Sequence, residues 1–315
     1  MTPGLEYHEI NRAGQVAWWR TLLGSVLLIL LFLWLPAVLA VPFAVVMLVT
    51  GSNGDDITNF FGLDPVTPAN LAYLNLGLAA AIPSAILVAW LMHGWQRPRW
   101  LLSVMGRIRW RWFLVCLGLS VVTLIVTLVV SAFLPSDGGD SDLGGAANAF
   151  TSQTLGFLAV IVFLTPLQAA GEEFAFRGYL TQAWGGVLAG RSRMAGRLVG
   201  VLVPAFLFAL AHGGQDVPVF FDRFAFGIVA GILVIATGGL EAGLAMHVLN
   251  NFMAFGLALA FGDMTSTLTD IHGSWWMIVS TLTQSLVYLA LVLVVGRRFG
   301  VGVRTPVMSG NGQPI

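Results

Sequence analysis

Long apolar runs separated by short polar connections make up most of this chain. A bilayer core of roughly 30 Å takes about 20 apolar residues wound as helix. Eight segments qualify: about 21–50, 70–93, 112–134, 153–187, 197–216, 223–240, 241–262 and 274–296. The first is overlong and holds Pro36 and Pro42, so it is expected to tilt or kink. The fourth, at 1.5 Å per residue, would make a rod of about 52 Å and must protrude, tilt or break. No internal repeat stands out, and no polar linker is long enough to separate two soluble domains. The pattern predicts an all-α fold, a polytopic membrane helical bundle of about eight transmembrane helices. It divides into an N-terminal segment (1–20), three spans (21–134), a polar-marked core (150–262), a final span (274–296) and a short tail (297–315). The tail beyond Arg304 is expected to be disordered.

Composition agrees with a membrane protein. Hydrophobic residues make up 57% of the 315 and charged ones 10%, with mean hydropathy +0.85; soluble domains carry about 25% charged residues. Net charge is zero, so no global field points to a nucleic-acid partner. All fifteen basic residues are arginine, which excludes a Ser–Lys dyad or a Schiff-base lysine. Cys116, the single cysteine, excludes an intrachain disulfide and a multi-cysteine metal site, and reads as a buried structural thiol. The head carries Glu6, Glu9, Arg12 and Arg20, and the run from Thr21 to Thr50 exceeds a signal-peptide core of about 7–15 residues, so no cleavable signal peptide is expected.

Loop charges predict orientation by the positive-inside rule. Arg97, Arg99, Arg107, Arg109 and Arg111 follow span two; Arg191, Arg193 and Arg197 follow span four; Arg297, Arg298 and Arg304 follow span eight. The intervening connections carry Asp55, Asp56 and Asp64; Asp137, Asp140 and Asp142; Asp216 and Asp222; Asp263 and Asp270. The alternation places both termini in the cytoplasm, with Arg223 the one discordant arginine. The arginine clusters read as topology determinants, and Trp18, Trp19, Trp95, Trp100, Trp110, Trp112, Trp275 and Trp276 as an interfacial belt.

Ionisable side chains at bilayer depth cost roughly 2.5–3.5 kcal/mol each on insertion scales, yet Glu172, Glu173 and Arg177 stand within six residues of the fourth span. On a helix Glu173 and Arg177 share a face, and Glu172 lies about 100° around. Glu173 can therefore neutralise Arg177, which leaves Glu172 for general-base work. Phe208 and His212 lie one turn apart in span five, and His247 and Asn251 one turn apart in span seven. Neutral imidazole can accept a proton, bind a metal or donate a hydrogen bond, and an amide can stabilise an oxyanion. Glu241 at the start of span seven reads as a macrodipole residue, and His8, His93 and His272 need no special role. No H-E-x-x-H occurs, and no aspartate pair lies within a span.

The elements Glu172-Glu173-x-x-x-Arg177, Phe208-x-x-x-His212 and His247-x-x-x-Asn251, in that order on separate helices, resemble the CPBP family of CAAX prenyl endopeptidases and bacteriocin-processing or immunity (Abi) proteins. The resemblance covers roughly residues 150–262. It implies an intramembrane endopeptidase with a cavity open toward the cytoplasm, in the cell membrane of a bacterium (the inner or plasma membrane). Under it, Glu172 and His212 would activate water, His247 and Asn251 would stabilise the oxyanion, and Glu173, Arg177 and Phe208 would shape the site. Metal use stays open: Glu172, His212 and His247 could ligate zinc or act without it. The implied partners are the lipid bilayer and a membrane-associated peptide or protein, more plausibly a leader or anchor than a prenylated CAAX protein. The alternative is a non-catalytic scaffold or bacteriocin self-immunity protein that holds membrane peptides in the same pocket. A transporter using Glu172 for proton coupling ranks third, disfavoured by the missing repeat.

Overall fold

The computed structural model describes residues 4–14, 16–94, 98–135, 147–269 and 271–306. Trp95, Arg97, Asp137, Asp140, Asp142, Asp270 and the end of the tail lie outside the described residues. Among those described, eight helices are long and apolar enough to cross a membrane, and they follow the eight apolar runs in order.

Helix α1 (Trp18–Val49) keeps Pro36 and Pro42 inside it. A short polar helix, α2 (Gly54–Gly62), is capped by Asn53, whose side chain accepts from the Asp55 and Asp56 amides. The second span is two pieces, α3 (Pro68–Ala79) and α4 (Ala81–His93), joined at Ala80. Helix α5 (Trp110–Ser131) follows. The fourth span, 152–189, is broken as its length demanded: α6 (Ser152–Phe163), α7 (Thr165–Glu172), a π-helical stretch (Glu173–Leu180) and α8 (Thr181–Ala189). Pro166, near the start of α7, cannot donate to the preceding turn, which accounts for the break at Leu164. The rest of the bundle is α9 (Arg193–Leu210), α10 (Val217–Thr237), α11 (Glu241–Phe261), the short α12 (Met264–Thr269) and α13 (Trp275–Phe299). Asp222 and Arg223, expected in or at the edge of a connection, sit inside α10.

The two ends of the bundle are built differently. At the arginine-bearing end a 3-10 turn, Tyr7–Ala13, is buried under α8 and α9. Tyr7 and Ile10 form a small core with Trp100, Val104, Val234 and Leu240; the Tyr7 hydroxyl donates to the Leu101 carbonyl. Glu6 Oε1 accepts from Arg197 at 2.7 Å and from Arg304 at 3.2 Å, and Glu9 Oε1 accepts from Arg193 at 3.0 Å. Thr305 donates its amide to Leu5 O at 2.9 Å and its hydroxyl accepts from Leu5 N at 3.0 Å, so the two terminal segments are tied together. Arg109 grips Glu241 bidentately at 2.8 and 2.7 Å. Arginines read as topology determinants therefore also hold the bundle's end shut, and Glu241 has a charged partner as well as a helix dipole. Trp100 and Trp112, assigned to the interfacial belt, are each only 2% exposed and belong to the core, whereas Trp18, Trp19, Trp110, Trp275 and Trp276 are exposed.

Candidate active site

The fourth span brings the carboxylates to the middle of the bundle. Gly171 packs against the backbone where α3 meets α4: a Cβ there would stand 3.0 Å from the Leu78 carbonyl carbon and 3.1 Å from Ala79 Cα. This contact fixes the depth of Glu172, one residue on. The chain then winds with i→i+5 bonds over Glu173–Leu180, and such π turns occur often at functional sites.

Glu173 and Arg177 are sealed. Their side chains are 0% and 1% exposed, with Arg177 Nη1 3.1 Å from Glu173 Oε1. The guanidinium lies 4.1 Å above the Phe208 ring and 5.7 Å from that of Phe226, so two aromatic faces take the rest of its charge. Helix α11 approaches closely because residue 243 is glycine: a Cβ would come within 3.0 Å of Glu173 Oε2. On the same helix, His247 Nδ1 is 3.0 Å from Glu173 Oε1 and its Nε2 is 3.4 Å from Glu172 Oε2. The ring bridges the two carboxylates.

Glu172 faces a cavity of about 340 Å³ whose lining also includes His212, His247, Asn251, Gln168 and Arg223. All four candidate catalytic residues, from three different spans, line it. Glu172 is not unpartnered, since its Oε1 accepts from Gln168 Nε2 at 2.8 Å, and Gln168 Oε1 accepts in turn from Asn251 Nδ2 at 2.9 Å. His212 lies just past α9, where its Nδ1 is 2.8 Å from Phe208 O. A carbonyl only accepts, so this bond puts the proton on Nδ1 and leaves Nε2 as the ring's acceptor. Phe208 packs edge-on to His212 with centroids 4.8 Å apart, so the phenyl ring positions Arg177 and His212 together.

Gln168 and Arg223 escaped the reading of the chain. Gln168 lies one turn before Glu172 and on its face; Arg223 was visible as the arginine out of phase with the loop pattern. A three-donor metal site fits poorly. Among the described residues no group of three His, Cys, Asp or Glu side chains is arranged to hold a metal ion, Glu172, His212 and His247 included. The two ends of the bundle stand differently toward this cavity. The cavity lining reaches Leu63, Thr267 and Leu268, at the aspartate-bearing end, while the arginine-bearing end is closed by Tyr7, Ile10, Trp100 and Leu240. A larger groove of about 470 Å³, between α9 and α10, is lined by apolar residues, Glu6 and Arg197 and contains none of the candidate residues.

Residues 153–253 match the family model for type II CAAX prenyl endopeptidase Rce1-like proteins. The matched stretch holds all three motifs and lies within the 150–262 core. An uncharacterized protein of Bacillus subtilis (strain 168), YyaK, is 28% identical over 153 residues, which is 45% of this chain and 49% of that protein. The matched region thus spans about half the length of the curated relative. No solved structure matches the chain.

Proposed function

We propose that this protein is an intramembrane endopeptidase that hydrolyses a peptide bond in a membrane-associated protein or peptide. The observation that carries this reading is the convergence of Glu172, His212, His247 and Asn251 on one cavity; the family matched over residues 153–253 supports it. A water held by Glu172 and by His212 Nε2 is a competent nucleophile, since both groups can take its proton. As water adds to the carbonyl carbon, the carbonyl electron pair moves onto oxygen. When the pair returns, the C–N bond breaks and the stored proton passes to the leaving amine. Glu173 and Arg177 touch none of the reacting atoms; they set the position of His247.

A substrate arriving from the bilayer has an apolar approach. A groove of about 200 Å³ between α1 and α9 shares Phe32, Phe176 and Ala211 with the polar cavity. An apolar segment resting there would place its adjoining backbone near Glu172. The cleaved chain is therefore a membrane peptide, leader or anchor.

The test is Glu172→Gln in purified protein against a library of quenched fluorescent membrane peptides. Cleavage should vanish while accumulation, thermal stability and peptide binding stay near wild type. A wild-type protein that binds such peptides but cleaves none would instead favour the scaffold or immunity reading. Chelators should leave turnover unchanged; loss with chelation and recovery with zinc would overturn the metal-independent form of this mechanism.

A further inference from the structure

Hydrolysis needs a donor for the oxyanion as much as a base for the water, and the expected donors are engaged. Both nitrogens of His247 face carboxylates, at 3.0 Å from Glu173 and 3.4 Å from Glu172. Asn251 has one N–H on Gln168 Oε1 at 2.9 Å, which leaves one N–H to offer. A cation also lines this cavity. Arg223 Nη1 donates to Gln215 Oε1 at 2.6 Å, and Gln215 is itself fixed by donating to Ala209 O at 2.6 Å. The neighbouring Asp222 turns to Thr281 on α13. Among the described residues no carboxylate stands within ion-pairing distance of Arg223, unlike Arg109, Arg177, Arg193 and Arg197. Its guanidinium is thus held at one nitrogen by a neutral amide, and Asp222 and Glu172 act on it only from beyond ion-pairing distance. Arg223 is also only half-buried.

We propose that Arg223 is a catalytic residue of this site, its guanidinium holding the negative charge that develops on the scissile carbonyl oxygen, with the remaining N–H of Asn251 as its neutral companion. The inference rests on the hydrolytic reading above and names a donor that reading lacks. In the sequence of bond changes already given, the carbonyl π pair moves to oxygen opposite Arg223 and returns when the amine leaves. The arginine exchanges no proton at any step. A cation serves here better than an amide because charge-assisted hydrogen bonds are roughly twice as strong as neutral ones.

The first measurement is turnover of a cleavable peptide by Arg223→Gln and Arg223→Lys. Arg223→Gln should lower kcat by about 10²–10³-fold, the usual loss for one oxyanion donor, with KM nearly unchanged, since the interaction is made only in the transition state. Arg223→Lys, which keeps the charge, should fall between. Unchanged kcat, or a loss confined to KM, would overturn the proposal and make Arg223 a ground-state binding residue. The second measurement needs no turnover. An N-lauroyl-Leu-Leu amide is compared with its phosphinic counterpart, in which PO₂⁻–CH₂ replaces the central peptide group, by calorimetry in detergent. Wild type should prefer the phosphinate by about tenfold or more, since transition-state mimics bind at least about 10²-fold tighter when the match is full. Arg223→Gln should lose that preference and still bind the amide, which also shows that the variant is folded. A preference that survives in Arg223→Gln, or is absent from wild type, counts against the proposal. Glu172→Gln separates the two readings: it should lose cleavage and keep the phosphinate preference. A wild type that cleaves nothing yet prefers phosphinate through Arg223 would overturn the hydrolytic reading and leave an anion-binding residue in its place.

Discussion

Glu173→Gln should be one of the most damaging single-atom changes in this protein. Glu173 and Arg177 are 0% and 1% exposed and stand 3.1 Å apart. At an effective dielectric of about 20, opposite unit charges at that distance attract by about 5 kcal/mol. Desolvation cancels much of this while both partners are present. Removing one leaves the other buried and uncompensated, which costs about 3–5 kcal/mol. The Phe208 and Phe226 rings, 4.1 and 5.7 Å away, would still face the cation. The same substitution loosens His247, whose Nδ1 bond to Glu173 is 3.0 Å long. The assay is thermal or denaturant unfolding of purified protein in detergent, for Glu173→Gln, Arg177→Met and the double variant. Each single change should cost about 3–5 kcal/mol, a large share of a typical stability of about 5–15 kcal/mol. The double change should recover much of that, because no uncompensated charge then stays buried. Glu172→Gln, in the cavity with a neutral Gln168 partner, should cost about 1 kcal/mol. A Glu173→Gln variant as stable as wild type, or a double variant whose losses simply add, would show that the pair is not coupled as its geometry demands.

Acid should loosen the terminal clasp. Burial holds the His8 imidazole below its ordinary value of 6.5 against the raising fields of Glu9 and Glu6, so the unfolded chain gains a proton as pH falls through about 6.5 and the fold does not. Burial would raise the Glu6 carboxyl, but Arg197 outweighs it and holds the group below its ordinary 4.5; its contribution is lost below that, as pH falls through the folded value. Thermal stability should therefore decline from pH 7.5 to 5.5, and His8→Asn should flatten that stretch of the profile. Gly171→Ala should cost about 1–3 kcal/mol, the usual range for overpacking, because its Cβ meets the backbone of Leu78 and Ala79, whereas Gly118→Ala, with open space around it, should be harmless; unfolding midpoints decide. Thr267→Cys, at an exposed position on the cavity lining, should react with a membrane-impermeant maleimide from the side opposite the termini and be slowed by bound peptide; labelling from the terminal side would show that the cavity opens at the other end.

What the chain disclosed in advance follows from the range of the interactions. Spans were legible because each is a local run of apolar residues, and the Glu173–Arg177 pair because i, i+4 spacing is local. The His247–Asn251 pair reached the same cavity for the same reason, one helix turn presenting one face. The clasp was not legible. Glu6 meets Arg197 and Arg304, 191 and 298 positions away, and no local pattern announces such a partner. Trp100 and Trp112 look like belt residues by position, and only packing shows that they are core. The π winding at Glu173–Leu180 has no compositional signature. Arg223 is the instructive miss: its clash with the charge alternation was visible, and a charge that breaks a topology rule needs a local partner or a local use.

The site is also graded in wetness, and that gradient explains the choice of residues. Behind the cavity wall lies its dry half, Glu173 with Arg177, where only a paired charge can persist. Above are Glu172, 8% exposed at its side chain, then half-buried Arg223 and exposed His212, where a charge can meet water and substrate. His247 is the ring that spans them, one nitrogen on each carboxylate. A second carboxylate beside Glu172 is tolerable only because the dry half neutralises it with Arg177, and the ring is oriented only because that neutralised carboxylate still has an oxygen to accept from it. Glu173 thus does two things through one oxygen, Oε1, which takes both Arg177 and His247. Glu173→Asp would keep the charge and lose the reach. It should retain more stability than Gln and yet lose activity, a split that a purely structural ion pair would not show.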